Sequence, residues 1–307
     1  MAADRPILGI ALMLGFCVTV PVSDAFAKLA GDALPLAVLV FARFVVQAAL
    51  TTPLALASGG LRIGRRLRWL SLLRTVSNLL GLGVIYASFR VLPLADAIAI
   101  AYVLPFILLF LGHFLMGETV GAMRILAACV GFVGTLMVIQ PSFAAVGLLA
   151  LLPVLGAIIF AVFVLVTRVM AKSVGAVPLQ AISGLQGSAL MLLVFGLGAA
   201  TGWQELRFAM PELSEVWLLL GLGLVGSLAH LFMAMSLRYA PVATVAPVQY
   251  LEIPMAAIVG LVVFGDFPNG LALVGMAVIL MAGLFILWRE RRSAVLEGPA
   301  APSAAEG

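Results

Sequence analysis

Residues 125–167 hold no charged side chain over 43 consecutive positions, and shorter uncharged stretches recur along the whole 307-residue chain. A soluble core has no room for so many such segments, and water does not tolerate them exposed. The chain is 64% hydrophobic and 10% charged, where soluble domains average about 45–50% apolar and about 25% charged. An ordinary water-soluble fold is excluded. A segment that crosses lipid must satisfy its own backbone hydrogen bonds, which leaves helices and closed barrels. No segment alternates polar and apolar residues, so the barrel is excluded as well.

A bilayer core about 30 Å thick takes roughly 20 residues per helix. The charge-poor intervals predict ten helices, near 6–27, 34–58, 69–89, 92–116, 122–140, 146–168, 178–200, 215–237, 242–264 and 269–288. The 43-residue interval holds two of them, divided at Gln140-Pro141-Ser142. The fold class is all-α integral membrane, with no separate soluble domain. Arg5, the apolar run after it and Ala25-Phe26-Ala27 imitate a cleavable signal, but Asp24 beside the supposed site argues for keeping this segment as the first span.

Lysine and arginine placement orients such a bundle, because cytoplasmic loops retain positive charge. With both termini inside, the inner segments hold Arg5, Arg62, Arg65, Arg66, Arg68, Arg124, Arg168, Lys172, Arg238, Arg289, Arg291 and Arg292. The outer segments hold only Lys28, Arg90 and Arg207, while Arg43 and Arg74 lie within spans. The expectation is a multi-pass protein of a bacterial inner membrane with both termini cytoplasmic. The net charge of +4 follows this topology and gives no reason to expect nucleic-acid binding. The tail 293–307 is Ala, Pro, Glu and Gly after a basic end, and is expected to be a disordered cytoplasmic extension. Cys17 and Cys129 both fall in apolar spans, which speaks against a disulfide framework or a cysteine metal site.

The chain also resembles itself. At an offset of 148 residues Ser88, Arg90, Pro93, Ala95, Tyr102, Gly112 and Gly117 match Ser236, Arg238, Pro241, Ala243, Tyr250, Gly260 and Gly265, and Glu118 aligns with Asp266. Arg, Pro and Tyr are scarce here, so the matches carry weight. Five spans per half is an odd number, so the second copy lies upside down in the membrane. Two inverted five-helix repeats, 6–140 and 146–288, are the architecture of secondary transporters with a site near the midplane.

The block Leu92-Pro93-Leu94-Ala95-Asp96-Ala97, then Pro105, Gly117-Glu118 and Gly131-Phe132-Val133-Gly134, resembles the EamA family of the drug/metabolite transporter superfamily. Its echo around Pro241, Pro254 and Gly265-Asp266 resembles the family's second repeat. The spacing of Asp24, Lys28 and Arg43 is most similar to a branch with riboflavin and S-adenosylmethionine uptake carriers. The resemblance covers residues 7–288. It implies a secondary transporter of a small metabolite, led by uptake of a vitamin or nucleoside-like compound such as riboflavin. S-adenosylmethionine uptake, or export of amino acids, drugs or other metabolites, is the alternative. The chain departs from the family pattern at Asp266, where Glu is commoner, and at Glu252 within the ninth span.

Polar groups near the middle of spans are what a transporter needs and a lipid-facing helix cannot keep. Arg43, Asn78, Tyr102, Gln249, Tyr250 and Glu252 are the substrate-site candidates. Arg43 and Glu252 are expected to pair, either as substrate or proton contacts or as a structural ion pair. Tyr102 and Tyr250 occupy matching places in the two repeats, and either stack on a flat substrate or act as core aromatics. Tyr102, Phe106, Leu109 and His113 share one helical face. His113 and His230 are the candidates for proton coupling. Gln180, Ser183 and Gln186 form a polar stripe, read as a wetted interior or as interhelical hydrogen bonds. Asp24 and Lys28 are spaced for an i,i+4 pair or an entrance contact. Gly221-Leu222-Gly223-Leu224-Val225-Gly226 matches a dinucleotide fingerprint by letter but lies inside an uncharged span, which makes it a packing surface. No residue set calls for a cofactor or a metal, and an enzyme would need a denser cluster of His, Asp or Cys. The partners expected are a small-molecule substrate and the bilayer, and a homodimer stays open.

Overall fold

The computed structural model describes residues 5–58, 61, 63–117, 121–266 and 268–296, and every regular element among them is a helix. In chain order these are α1 (Pro6–Gly31), α2 (Leu36–Ala57), α3 (Arg65–Phe89), α4 (Leu94–Ala101), α5 (Leu104–Met116), α6 (Ala122–Val146), α7 (Leu152–Ala171), α8 (Ala176–Thr201), α9 (Leu213–Tyr239), α10 (Val242–Val245), α11 (Glu252–Phe264) and α12 (Gly270–Leu296). Short 3-10 turns cover Gly147–Leu151, Gln204–Leu206 and Ala246–Leu251.

Seven described helices are long and apolar enough to cross a membrane, and three shorter apolar helices, Ile125–Val138, Val248–Phe264 and Gly270–Phe285, accompany them. Leu, Val, Ile and Phe side chains stand exposed along the outside of the bundle. That surface suits lipid and would aggregate in water. Trp69, Trp203, Trp217 and Trp288 are all exposed near helix ends, where indole sits well at a membrane–water boundary. The protein is a multi-pass membrane protein.

Two sequence expectations need correction here. The Gln140-Pro141-Ser142 signal does not end a helix, because α6 runs through it to Val146 and stops where Gly147 turns left-handed at φ 62°. A proline near a helix end breaks few backbone bonds, whereas a positive φ is open to glycine and closed to most residues. The supposed tail is helical through Leu296, and its remainder, 297–307, lies outside the described residues together with Arg62 and Glu118.

The helices pack in antiparallel pairs, α1 on α9, α2 on α8, α3 on α7 and α6 on α12. Small residues let the backbones approach, which is how helices associate where lipid removes the hydrophobic drive. A Cβ on Gly134 would lie 2.7 Å from the Gly275 carbonyl oxygen, and one on Gly275 would lie 2.6 Å from that of Gly134. On α9 the Gly221–Gly226 run is such a surface: a Cβ on Gly221 would meet the Phe26 ring at 2.8 Å, and one on Gly226 would meet Ser23 Oγ at 2.6 Å.

Polar contacts at the helix ends fall into two sets. At one end Lys28 pairs with Asp266 at 3.1 Å, Arg90 pairs with Glu205, and Glu205 also accepts from the Leu36 N–H at 3.1 Å. At the other end the Arg5 N–H donates to the Tyr239 carbonyl at 2.7 Å, and Ser236 Oγ donates to the Gly9 carbonyl at 2.6 Å. Gly117 and Gly265 close α5 and α11 in the left-handed conformation, at φ 66° and 70°.

Candidate functional site

Two of the apolar segments do not run straight. α4 ends at Ala101, Tyr102 takes φ −75° and ψ 12°, and α5 restarts at Leu104 with Pro105 in its first turn. Proline fits there, since its missing N–H would have had no helical partner. The segment from Pro241 begins as α10, tightens into the 3-10 turn Ala246–Leu251, and resumes as α11 at Glu252. Broken helices at membrane depth survive only where protein or a cavity receives their backbone groups.

Between these breaks lies a cavity of about 100 Å³. Phe16, Val20, Leu82, Ile85 and Phe160 supply apolar walls from α1, α3 and α7. Asp24, Tyr102, His230, Gln249 and Glu252 supply the polar atoms. All five are buried. The Tyr102 hydroxyl faces the Glu252 carboxyl group. His230 Nδ1 and Gln249 Oε1 have no hydrogen-bond partner in the protein, and Asn78 Oδ1, one turn from Leu82 on α3, has none either. A largely apolar hollow with a few convergent, unsatisfied polar groups is the form of a small-molecule site.

Of the candidates read from sequence, Tyr102, Gln249, Glu252 and His230 line this cavity, and Asn78 borders it. The others are placed elsewhere. Arg43 does not pair with Glu252; its guanidinium donates to Gln47 Oε1 at 3.0 Å and to Ser227 Oγ at 3.2 Å. Glu252 takes the Tyr102 hydroxyl instead, because the break before α11 turns it toward α4. Tyr250 packs behind Tyr102 with ring centroids 5.8 Å apart, its ring set against Gly131, so the two tyrosines touch each other.

His113 does not share a face with Tyr102, since the break at Tyr102–Val103 resets the helical register. It lines a separate cleft with Phe106, Phe110 and Ile125 between α5 and α6. The Asp24–Lys28 pair does not form either: Lys28 reaches Asp266 and lies 4.5 Å from the Phe264 ring centre, while Asp24 turns inward to the cavity.

The Gln180, Ser183 and Gln186 stripe makes interhelical hydrogen bonds. Gln180 accepts from Gln47 at 3.0 Å and from Arg74 at 3.3 Å, Ser183 accepts from Arg74, and Gln186 accepts from Ser71 at 2.8 Å. Arg74 also donates to Thr167 at 2.8 Å and lies over the Phe163 ring. The cavity residues missed in the sequence are Asp24, Phe16 and Phe160. Asp24 carried a signal, as an acid in an otherwise uncharged stretch, but Lys28 four residues on gave it a plausible partner.

A broken-helix bundle around a central, mostly apolar cavity defines a membrane carrier. A model of the EamA-like transporter family matches residues 7–140. A protein named riboflavin transporter in Rhizobium johnstonii is 32% identical over 230 residues, covering 73% of this chain and 72% of that one. One named S-adenosylmethionine uptake transporter in Rickettsia bellii is 26% identical over 288 residues, covering 93% and 95%. A solved crystal structure shares the fold at 19% identity, with a TM-score of 0.68 over 93% of this chain and 97% of that one. The chain belongs to the EamA-like transporter family. It is a transporter of small molecules rather than an enzyme.

Proposed function

We propose that the protein takes up a planar heteroaromatic metabolite, riboflavin first, across the bacterial inner membrane as a secondary transporter. The observation that carries this reading is the central cavity, in which Phe16, Tyr102 and Phe160 offer ring faces while Gln249 Oε1 and His230 Nδ1 stand unpartnered. Stacking against such rings adds about 0.5–1.5 kcal/mol beyond area burial. The N–H and carbonyl edge of an isoalloxazine ring has the complementary hydrogen-bonding groups for Gln249 and His230. Relatives named riboflavin transporter support the same choice. A second reading, S-adenosylmethionine, is favoured by Asp24 and Glu252, two acids that suit a sulfonium cation, and by the relatives of that name.

The test is growth of a riboflavin-auxotrophic bacterium, lacking its own carrier, on limiting vitamin. The wild-type protein is expected to restore growth, and Tyr102→Ala at equal membrane abundance to cut uptake about tenfold. A wild-type protein present in the membrane that takes up labelled S-adenosylmethionine but not riboflavin would transfer the assignment to the second reading.

The proposed architecture is ten spans in two inverted repeats, 6–140 and 146–288, with both termini cytoplasmic. Several features support it. Ten helical segments overlap the ten predicted intervals, the two helix breaks fall at Tyr102 and around Tyr250, which are 148 residues apart, and Gly117 and Gly265 repeat the same cap. Exchanging the halves maps α2–α8 and α6–α12 onto themselves and α1–α9 onto α7–α3, with each pair antiparallel. In a background of Cys17→Ala and Cys129→Ala, Gln204→Cys is expected to react with an impermeant thiol reagent in intact cells, and Ser58→Cys to be protected. The reverse pattern would mean an inverted bundle.

A further inference from the structure

The cavity holds two carboxyl groups, and among the described residues no cation lies within ion-pairing distance of either. Among the described residues the ion pairs are Lys28–Asp266 and Arg90–Glu205, both at the end of the bundle. The buried arginines are engaged elsewhere: Arg43 binds Gln47 and Ser227, Arg74 binds Thr167, Ser183 and Gln180, and Arg168 donates to the Leu237 carbonyl. Arg43 is still within electrostatic reach of Asp24 and offsets its charge. Among the described residues no cation stands near Glu252, and its partner is the Tyr102 hydroxyl.

Every element packed around Glu252 bears this out. From α1, Cys17 and Asp24 are within electrostatic reach of it, the Tyr102 hydroxyl faces it from the end of α4, and His230 of α9 lines the same cavity. Asp96 lies six residues before Tyr102, near the start of α4. α12 has no titratable side chain over residues 270–285, and His113 of α5 faces the outer cleft. Two carboxylates in one apolar cavity cannot both stay ionised, and an uncompensated buried charge costs several kcal/mol. The repeat makes Glu252 an exception as well, since the matching position in the first half is Leu104, which also lines the cavity. An acid has been placed on one side only of a twofold scaffold.

The unpartnered Gln249 Oε1 and His230 Nδ1, both buried, show that the same cavity is built to receive another group. A metal cation would need a shell of oxygens, whereas the other walls are apolar.

We infer that Glu252 is the proton-carrying group of the transporter: it takes a proton from outer water when the cavity opens outward, carries it inward with the substrate, and releases it to inner water as the free carboxylate. The inference rests on the uptake reading above. It also explains how an acid-lined cavity accepts a neutral ring, for Glu252 enters the occluded state uncharged.

Proteoliposomes of the full chain are the test. Riboflavin uptake is expected to rise at least fivefold under an inward proton gradient, and not under a sodium gradient. In Glu252→Gln, exchange of labelled for unlabelled riboflavin should persist at a reduced rate while stimulation by the proton gradient disappears; Glu252→Asp should restore part of that stimulation. Wild-type uptake that follows sodium or ignores both gradients, or Glu252→Gln that keeps the wild-type response, would overturn the proposal. Infrared spectra of the purified protein give a readout that needs no substrate. A protonated-carboxyl band should be present at neutral pH, absent in Glu252→Gln and retained in Asp24→Asn. Its absence from the wild type refutes the inference even if riboflavin proves to be the wrong substrate.

Discussion

Replacing Gly134 by leucine is expected to remove most of the folded protein from the membrane. The Cβ alone would fall 2.7 Å from the Gly275 carbonyl oxygen and 2.7 Å from Ile279 Cγ1, and backbone cannot step aside as a side-chain tip can. α6 and α12 would have to separate along their whole contact, which costs about 3 kcal/mol or more. Thermal unfolding in detergent is the measurement, and a fall of roughly 10 °C is expected. Gly64→Ala is the control, since its Cβ would meet nothing within 4 Å and its φ of −63° suits any residue. If Gly134→Leu melted with the wild type, the α6–α12 interface would be wrong.

The second large effect concerns two neighbours that ought to behave alike if they formed a pair. Asp24→Asn is expected to cut uptake tenfold or more, a loss of about 1.4 kcal/mol or more in transition-state terms. Lys28→Met should change it by less than about threefold, because its ion pair is partly solvent-exposed and such pairs contribute about 0–1 kcal/mol. Initial rates at matched membrane abundance decide the matter. Equal losses in both variants would restore the i,i+4 pair and remove Asp24 from the cavity.

That contrast shows what a sequence conveys about such a protein and where its information stops. The positions of the helical segments follow from uncharged runs, because lipid excludes charge wherever the chain crosses. The caps at Gly117 and Gly265 and the packing role of Gly221–Gly226 are equally local, each set by the absence of a Cβ. Tyr102, Gln249, Glu252 and His230 were singled out by polarity at mid-span, a cost that only a partner or a cavity can offset.

Partnership is another matter. Charge alone matches Arg43 with Glu252, yet Gln47 and Ser227 are the groups that bind the guanidinium. Counting residues along one helix aligns His113 with Tyr102, and the count fails where the helix breaks. Asp24 had a sequence neighbour of opposite sign, which hid its inward turn. Helical period predicts faces only while the helix is continuous, and no local rule states which of several polar groups is nearest in space.

The two ion pairs at one end of the bundle set a scale for motion. Lys28–Asp266 and Arg90–Glu205 each join a residue of the first half to one of the second, at the end that the charge asymmetry assigns to the outside. In the proposed architecture, rocking the halves apart to admit substrate would part both. At about 0–1 kcal/mol apiece, they hold that end closed by about 1 kcal/mol, roughly a fivefold preference. So light a latch yields to thermal motion and weakens in salt, since exposed charges are screened beyond about 8 Å at physiological ionic strength. Under the proposed topology, the medium outside the cell would act as a control on the gate, with brackish surroundings favouring a mouth that stands open more of the time.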